Sequence, residues 1–200
     1  MPGRVFLTAT AAELAAHFDA AAGDAPDPGP RREIGPGDTV LAVVAGRRLA
    51  AMRWGLIPMG RTNARGRPVL ETLVNARAET LFSKSAFAGL ARAILPIGGW
   101  FEWTGPPRRR RRWTIRAPAE PILAVAAVWD LWRAPGGAEV ASLALVTCAP
   151  NADVAPIHDR MPAILDRDAW PVWLGEAEGD PGGLLEPLPE GRLAAAPDPG

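Results

Sequence analysis

Between positions 93 and 147 the chain is a succession of short apolar or alternating runs parted by turn residues, at 93–97, 99–103, 113–116, 122–131 and 141–147. Runs of this length with period-two alternation read as strands, so this half of the chain cannot be a helical bundle. Thr39–Val44 and residues 49–56 read the same way, joined by a turn at Gly46, Arg47 and Arg48. Helical spacing is confined to the flanks. Over 8–22, Thr10 is a candidate N-cap with Glu13 three residues on, and Leu14, His17 and Phe18 share a face. Residues 78–88 are compatible with a helix, and so are 166–175, where Trp170, Trp173 and Leu174 form the apolar side. Stretches 23–37 and 60–68 are expected to be loops. The expected class is α+β, a single domain over 1–175 with a β-barrel-like core and peripheral helices. The Gly/Pro/Glu-rich residues 176–200 are expected to be a poorly ordered tail.

Composition narrows the function classes. Two hundred residues with 48% apolar content suit one core. Lys and Arg total 22, balanced by 22 Asp and Glu. A histone-like protein is excluded, while a local basic face is not. Lys84 is the one lysine, so nearly all positive charge is arginine. Cys148 stands alone, which rules out an intramolecular disulfide or a cysteine-based zinc site. No long apolar stretch follows the start and no run matches a membrane span, so a cytoplasmic protein is expected. Two distant histidines and one cysteine make no metal set. No phosphate-cradling glycine loop or G-x-S-x-G element is present either, and no cofactor is expected.

Three islands place polar groups in apolar or turn-forming surroundings. In the first, around Val74 to Thr80, the Asn75 amide can orient a substrate and Arg77 can fork onto a phosphate. The plainer reading makes Asn75 a helix cap and Arg77 a solvated charge. In the second, Glu102 stands between Phe101 and Trp103, where apolar neighbours should raise its pKa toward values useful for proton transfer. It is otherwise an edge-strand glutamate whose head reaches water. If the run is a strand, Trp100 and Glu102 share one face and Phe101 and Trp103 the other. In the third, His158 can exchange protons near neutral pH with Asp159 tuning it, unless Asp159 and Arg160 simply pair in a turn. Arg108 to Arg112 form a five-arginine run at an expected hairpin tip, either solvated or a grip on a nucleic-acid backbone.

Taken in order, these pieces resemble the SRAP family (SOS response-associated peptidase, abasic-site processing). The matching motifs are Gly3-Arg4, Trp54-Gly55-Leu56-Ile57-Pro58, Asn75-Ala76-Arg77-Ala78-Glu79-Thr80 and Gly99-Trp100-Phe101-Glu102-Trp103. They continue with Thr147-Cys148-Ala149-Pro150-Asn151 and Ile157-His158-Asp159-Arg160-Met161-Pro162. The resemblance covers roughly residues 2 to 174. It implies a mixed α/β fold around a barrel-like core and a basic groove for single-stranded DNA. Family members cross-link to abasic sites through the amine and thiol of a second-position cysteine, which close a thiazolidine. By resemblance, Asn75 orients the sugar, Glu102 shuttles protons, His158 assists ring opening, and Arg4, Arg77 and Arg160 meet DNA. Trp54 and Thr147 line the groove.

The chain departs from the pattern at several places. Position 2 is Pro2, so no thiazolidine can form there. Methionine is readily trimmed before proline, and the resulting secondary amine titrates near pH ~8. It remains a nucleophile toward an aldehyde. Cys148 cannot substitute, since the thiol must share a residue with the amine, and its apolar strand context reads as core packing. The family's Asn-x-x-Pro element is Glu33-Ile34-Gly35-Pro36 here, Met59-Gly60 replaces a tryptophan as an apolar wedge, and the C-terminal Pro-Val-Ser…Val-Asn element is absent from residues 184–200. Three readings follow. One is an enzyme of DNA damage response, forming an iminium with abasic DNA through Pro2, with Asn75, Glu102 and His158 assisting, and cleaving the strand as a lyase. The second is a non-catalytic single-stranded DNA-binding protein. The third is peptidase-like or other hydrolase or small-carbonyl chemistry. The expected partner is abasic single-stranded DNA, met by a monomer in the cytoplasm or on the nucleoid, with no membrane.

Overall fold

The structure, a computed structural model, describes residues 2–23, 26–58, 72–83, 87, 89–133 and 136–198. Strands are β1 Val5–Leu7, β2 Arg31–Ile34, β3 Thr39–Val44, β4 Arg48–Trp54, β5 Asn75–Arg77 and β6 Ala91–Ile97. They continue as β7 Gly99–Thr104, β8 Arg111–Arg116, β9 Leu123–Arg133, β10 Glu139–Cys148, β11 Met161–Pro162 and β12 Ala194–Pro197. Among the described residues three short α-helices flank them, α1 Ala11–Phe18, α2 Ala78–Leu81 and α3 Trp170–Leu174, the last preceded by a 3-10 turn at Arg167–Ala169.

One sheet runs β10-β4-β3-β6-β9, and β9 pairs again with β10, so the strands close on themselves. This is the expected barrel-like core within an α+β fold. Closure follows from the length of β9, which pairs β6 through Ala91↔Trp129 to Ile97↔Leu123 and β10 through Glu139↔Arg133 to Leu145↔Ala127. Both neighbours fix its register, and its first six residues are all buried. The second sheet runs β12-β8-β7-β1-β2. Its inward side chains Val5, Leu7, Ile34, Trp100 and Ile115 join the barrel residues in one apolar core. Burial of that shared surface holds the sheets together.

α1 starts where the capping box predicts. The Thr10 side chain accepts from Glu13 N, and the Glu13 carboxylate accepts from Thr10 N at 2.7 Å. The helix is shorter than the spacing suggests, because Asp19 turns left-handed (φ 50) and ends it. The β3–β4 turn uses positive φ at Gly46 (76) and at Arg47 (49). The second is held by the Arg47 guanidinium, which donates to Phe18 O and to Glu176 Oε2 at 2.8 Å.

Two expectations are corrected. Residues 176–198 are not a loose tail: Leu185, Leu188 and Leu193 are buried, and β12 pairs with β8 from Ala194↔Arg116 to Pro197↔Trp113. Scattered leucines and the open edge of β8 outweigh the Gly/Pro composition. Residues 31–34, expected as loop, form β2 on β1. The helix expected over 78–88 is described only as α2. Met59 and the loop 60–68 lie outside the described residues. Among those described, no helix is long and apolar enough to cross a membrane.

Candidate functional site around Glu102

β7 alternates as expected: Trp100 and Glu102 turn inward, and Glu102 is 3% exposed. The start of the chain runs antiparallel to β7, with Val5↔Trp100 and Phe6↔Gly99 as partners and Phe101 N donating to Arg4 O at 3.0 Å. Continuing that register sets Gly3 opposite Glu102 and brings Pro2, itself buried, beside it. Gly99 permits the approach: a Cβ there would lie 2.4 Å from Ile115 O and 2.6 Å from Phe6 Cζ.

Asn75 arrives from a different sheet. β5 adds to β10 in parallel, Leu145↔Asn75 to Thr147↔Arg77. From there Asn75 Nδ2 donates to Pro2 O at 3.0 Å. Its Oδ1 is buried with no hydrogen-bond partner among the described residues. The amide fixes the terminal segment and leaves an acceptor over.

His158 closes the site from the turn after β10. Its Nε2 lies 3.8 Å from Glu102 Oε2. Its Nδ1 accepts from Arg160 N at 2.9 Å, which leaves Nε2 to carry the proton in the neutral ring. Asp159 Oδ1, on an exposed side chain, lies 3.0 Å from Nδ1, ready to accept if the imidazolium forms. Burial, and next the positive charge of the chain's amino terminus, hold the His158 pKa below its ordinary value, with Asp159 acting upward. Burial pushes the Glu102 carboxyl up to about 7, opposed by that same terminal charge. An acid poised near neutrality thus faces a neutral imidazole.

The other expected site residues divide. Arg77 is exposed at the end of β5. Arg4 is half-exposed, with Nε donating to Glu33 Oε1 at 3.2 Å. Two assignments are corrected, those of Trp54 and Thr147. Trp54 is fully buried and its Nε1 donates to Val74 O at 3.0 Å, so it props β4 from inside instead of lining a groove. Thr147 is likewise fully buried, its hydroxyl donating to Ala76 O at 3.3 Å. Arg160 is tied to both Glu79 oxygens and to Thr147 O, with its side chain 13% exposed. It fastens α2 to the turn bearing His158, and Arg160 in turn holds the Glu79 carboxyl below its usual range. Cys148 is buried with its thiol pushed up to about 12 by burial, in keeping with core packing.

Sequence reasoning passed over Glu33 as a partner of Arg4. Glu33 also accepts from Arg112 at 2.9 Å, and Arg112 lies 3.7 Å from the Phe101 ring centroid. It also passed over Glu79, the clamp on Arg160, and over Trp113. Alternation along Arg111-Arg112-Trp113-Thr114-Ile115 carries the signal for Trp113, since Ile115 points into the core. Among the described residues no group of three or more His, Cys, Asp or Glu is arranged to hold a metal.

Known proteins resemble this chain in sequence and, separately, in fold. The abasic site processing protein YoqW of Bacillus subtilis is 30% identical over 168 residues, which cover 79% of this chain and 74% of that protein. The abasic site processing protein HMCES of Gallus gallus is 31% identical over 156 residues, 66% of this chain and 46% of that one. A solved protein of Bacteroides thetaiotaomicron has the same fold, with a TM-score of 0.83 at 23% identity over 97% of this chain and 90% of that one. The pattern of the family described as SOS response associated peptidase (SRAP) matches residues 1–197, and the chain belongs to that family.

Proposed function

We propose that this protein processes abasic sites in single-stranded DNA through the amine of Pro2, exposed once Met1 is removed. The reading is supported above all by the convergence of Pro2, Asn75, Glu102 and His158 from four separate segments, with Asn75 on Pro2 O at 3.0 Å and His158 3.8 Å from Glu102. The names of YoqW and HMCES, abasic site processing proteins, support the abasic-site part of this reading.

The secondary amine adds to the C1′ aldehyde of the open-chain sugar, forming a C–N bond and a carbinolamine. Glu102, protonated in part near pH 7, donates to the departing hydroxyl, and water leaves to give an iminium ion. The iminium acidifies C2′–H. The Glu102 carboxylate takes that proton, and the C3′–O3′ bond breaks to release the phosphate. Water then hydrolyses the conjugated iminium, returning the Pro2 amine and leaving an unsaturated aldehyde on the cleaved strand. His158 Nε2–H supports ring opening, and the spare Asn75 Oδ1 orients a sugar hydroxyl. Arg77 takes a flanking phosphate, and Arg4 does so when Glu33 yields it. With no thiol on the attacking residue the adduct is transient, so the outcome is lyase turnover and not a durable cross-link.

Borohydride reduction during reaction with a single-stranded abasic oligonucleotide should trap a covalent complex whose mass maps to Pro2. Absence of any trapped complex with Met-processed protein overturns the covalent reading. Salt-sensitive strand binding that survived such a result would leave a non-covalent DNA-binding protein.

A further inference from the structure

Glu102 has a neighbour that the reaction above does not use. In the β7–β8 ladder, Glu102 is the cross-strand partner of Trp113 and Thr104 is that of Arg111. Partners in an antiparallel pair project from the same face, about 5 Å apart at Cβ. Trp113 and Arg111 therefore stand on the catalytic face of this sheet, at the end where it leaves the core. The alternate residues take the other face, where Arg112 is held by Glu33 and by Asp198 at 3.1 Å.

The indole is held in a way that suits a platform. Trp113 Nε1 donates to Thr104 Oγ1 at 2.9 Å, which fixes the ring plane, while the ring remains partly exposed. The Arg111 guanidinium lies 4.8 Å from the ring centroid. Arg111 is exposed, and among the described residues no carboxylate pairs with it or with Arg108, Arg109 or Arg110. A rigid, half-open aromatic capped by a free cation is the arrangement that stacks a nucleobase while the cation meets the adjoining phosphate.

We infer that Trp113 is the stacking platform for the base next to the abasic nucleotide, with Arg111 leaving the ring for that nucleotide's phosphate as the base arrives. The inference rests on the proposed single-stranded substrate but not on the iminium chemistry. Trp113 is then a positioning residue: it stops the strand from sliding and so sets the unbased sugar at Pro2.

The test uses the full chain and single-stranded oligonucleotides carrying a tetrahydrofuran abasic analogue, which cannot form an iminium. One set keeps both flanking bases. The other replaces one flanking nucleotide, on the 5′ or the 3′ side, by a second tetrahydrofuran. For the unaltered protein, removal of the stacked base should weaken binding about tenfold, the size of one base–aromatic stack. Trp113→Ala should bind the fully based strand about tenfold more weakly and be indifferent to the flanking base. Trp113→Phe should recover most of the difference, and Thr104→Val, which frees the indole, should fall between. If Trp113→Ala weakens both strands equally, or if flanking bases never matter to the unaltered protein, the inference is overturned. Should Trp113→Ala fail to fold, Thr104→Val and Trp113→Phe give the same comparison. A protein that shows the base effect yet is never trapped by borohydride keeps the platform and loses the lyase. One that binds no single strand loses both.

Discussion

At Glu102 two effects of one environment can be measured separately. Burial disfavours the anion and raises the carboxyl to about 7. A carboxyl raised from 4.5 binds its proton more tightly folded than unfolded. Its contribution to stability is fully present below pH ~4.5 and lost as pH climbs through ~7. Glu102→Gln lacks this titration. Between pH 5 and 8 the unaltered protein should lose stability relative to the variant by on the order of 2 kcal/mol, read from urea midpoints at fixed salt. Parallel midpoints would show that the site does not raise this carboxyl. On the proposed mechanism the same substitution removes the proton carrier, so the rate of borohydride-trapped adduct formation should drop at least about 100-fold, the lower range for acid–base catalysis. His158 works in the opposite direction. Its pKa lies below the ordinary 6.5, so its neutral Nε2–H form dominates at pH 7 and is lost only in acid.

The turn between β10 and β11 shows how a segment distant in the sequence helps to hold the His158 imidazole. Asn151, 8% exposed, accepts from Val154 N through Oδ1 at 3.2 Å and donates from Nδ2 to Leu188 O at 3.2 Å. His158 N then donates to Val154 O at 3.0 Å. The C-terminal segment is thereby pinned to the turn that carries the imidazole. Asn151→Ala removes the donor to the buried Leu188 carbonyl, while Val154 N keeps the main-chain carbonyl of residue 151, so the change should cost about 1 kcal/mol in urea unfolding. It should also lower adduct yield, although Asn151 is itself buried. Unchanged stability would mean that the segment is held by its leucines alone. This coupling also marks where sequence reading ran out. Strand alternation around Glu102 and the capping box of α1 are local, so residues 99–104 and Thr10 were legible. β1, β2, β5 and β12 are three or four residues each and exist because a partner strand supplies their hydrogen bonds. Periodicity cannot find such elements. Trp54 and Thr147 were misplaced for the same reason: motif position says that a residue is near the site, whereas only packing says which way it faces.

Over the whole molecule, a formal charge of zero conceals an uneven distribution. Many arginines are spent internally: Arg160 on Glu79, Arg112 on Glu33 and Asp198, Arg47 on Glu176, and Arg192 on Glu120 and Asp166. The β7–β8 hairpin tip is different, since Arg108, Arg109 and Arg110 are exposed and unpaired among the described residues. They lie on the hairpin whose first strand carries Glu102. Exposed cations on a nucleic-acid surface release counterions when a strand binds, with a slope of log K on log salt of about −0.7 per phosphate neutralised on single strands. Replacing all three by serine should leave the unfolding midpoint nearly unchanged. It should weaken single-strand binding at low salt and make the slope shallower by up to about 2. Titrations at several salt concentrations decide the matter. An unchanged slope would mean that the tip meets solvent only, and that the strand's path runs from Glu102 toward Arg77 on β5, away from this hairpin.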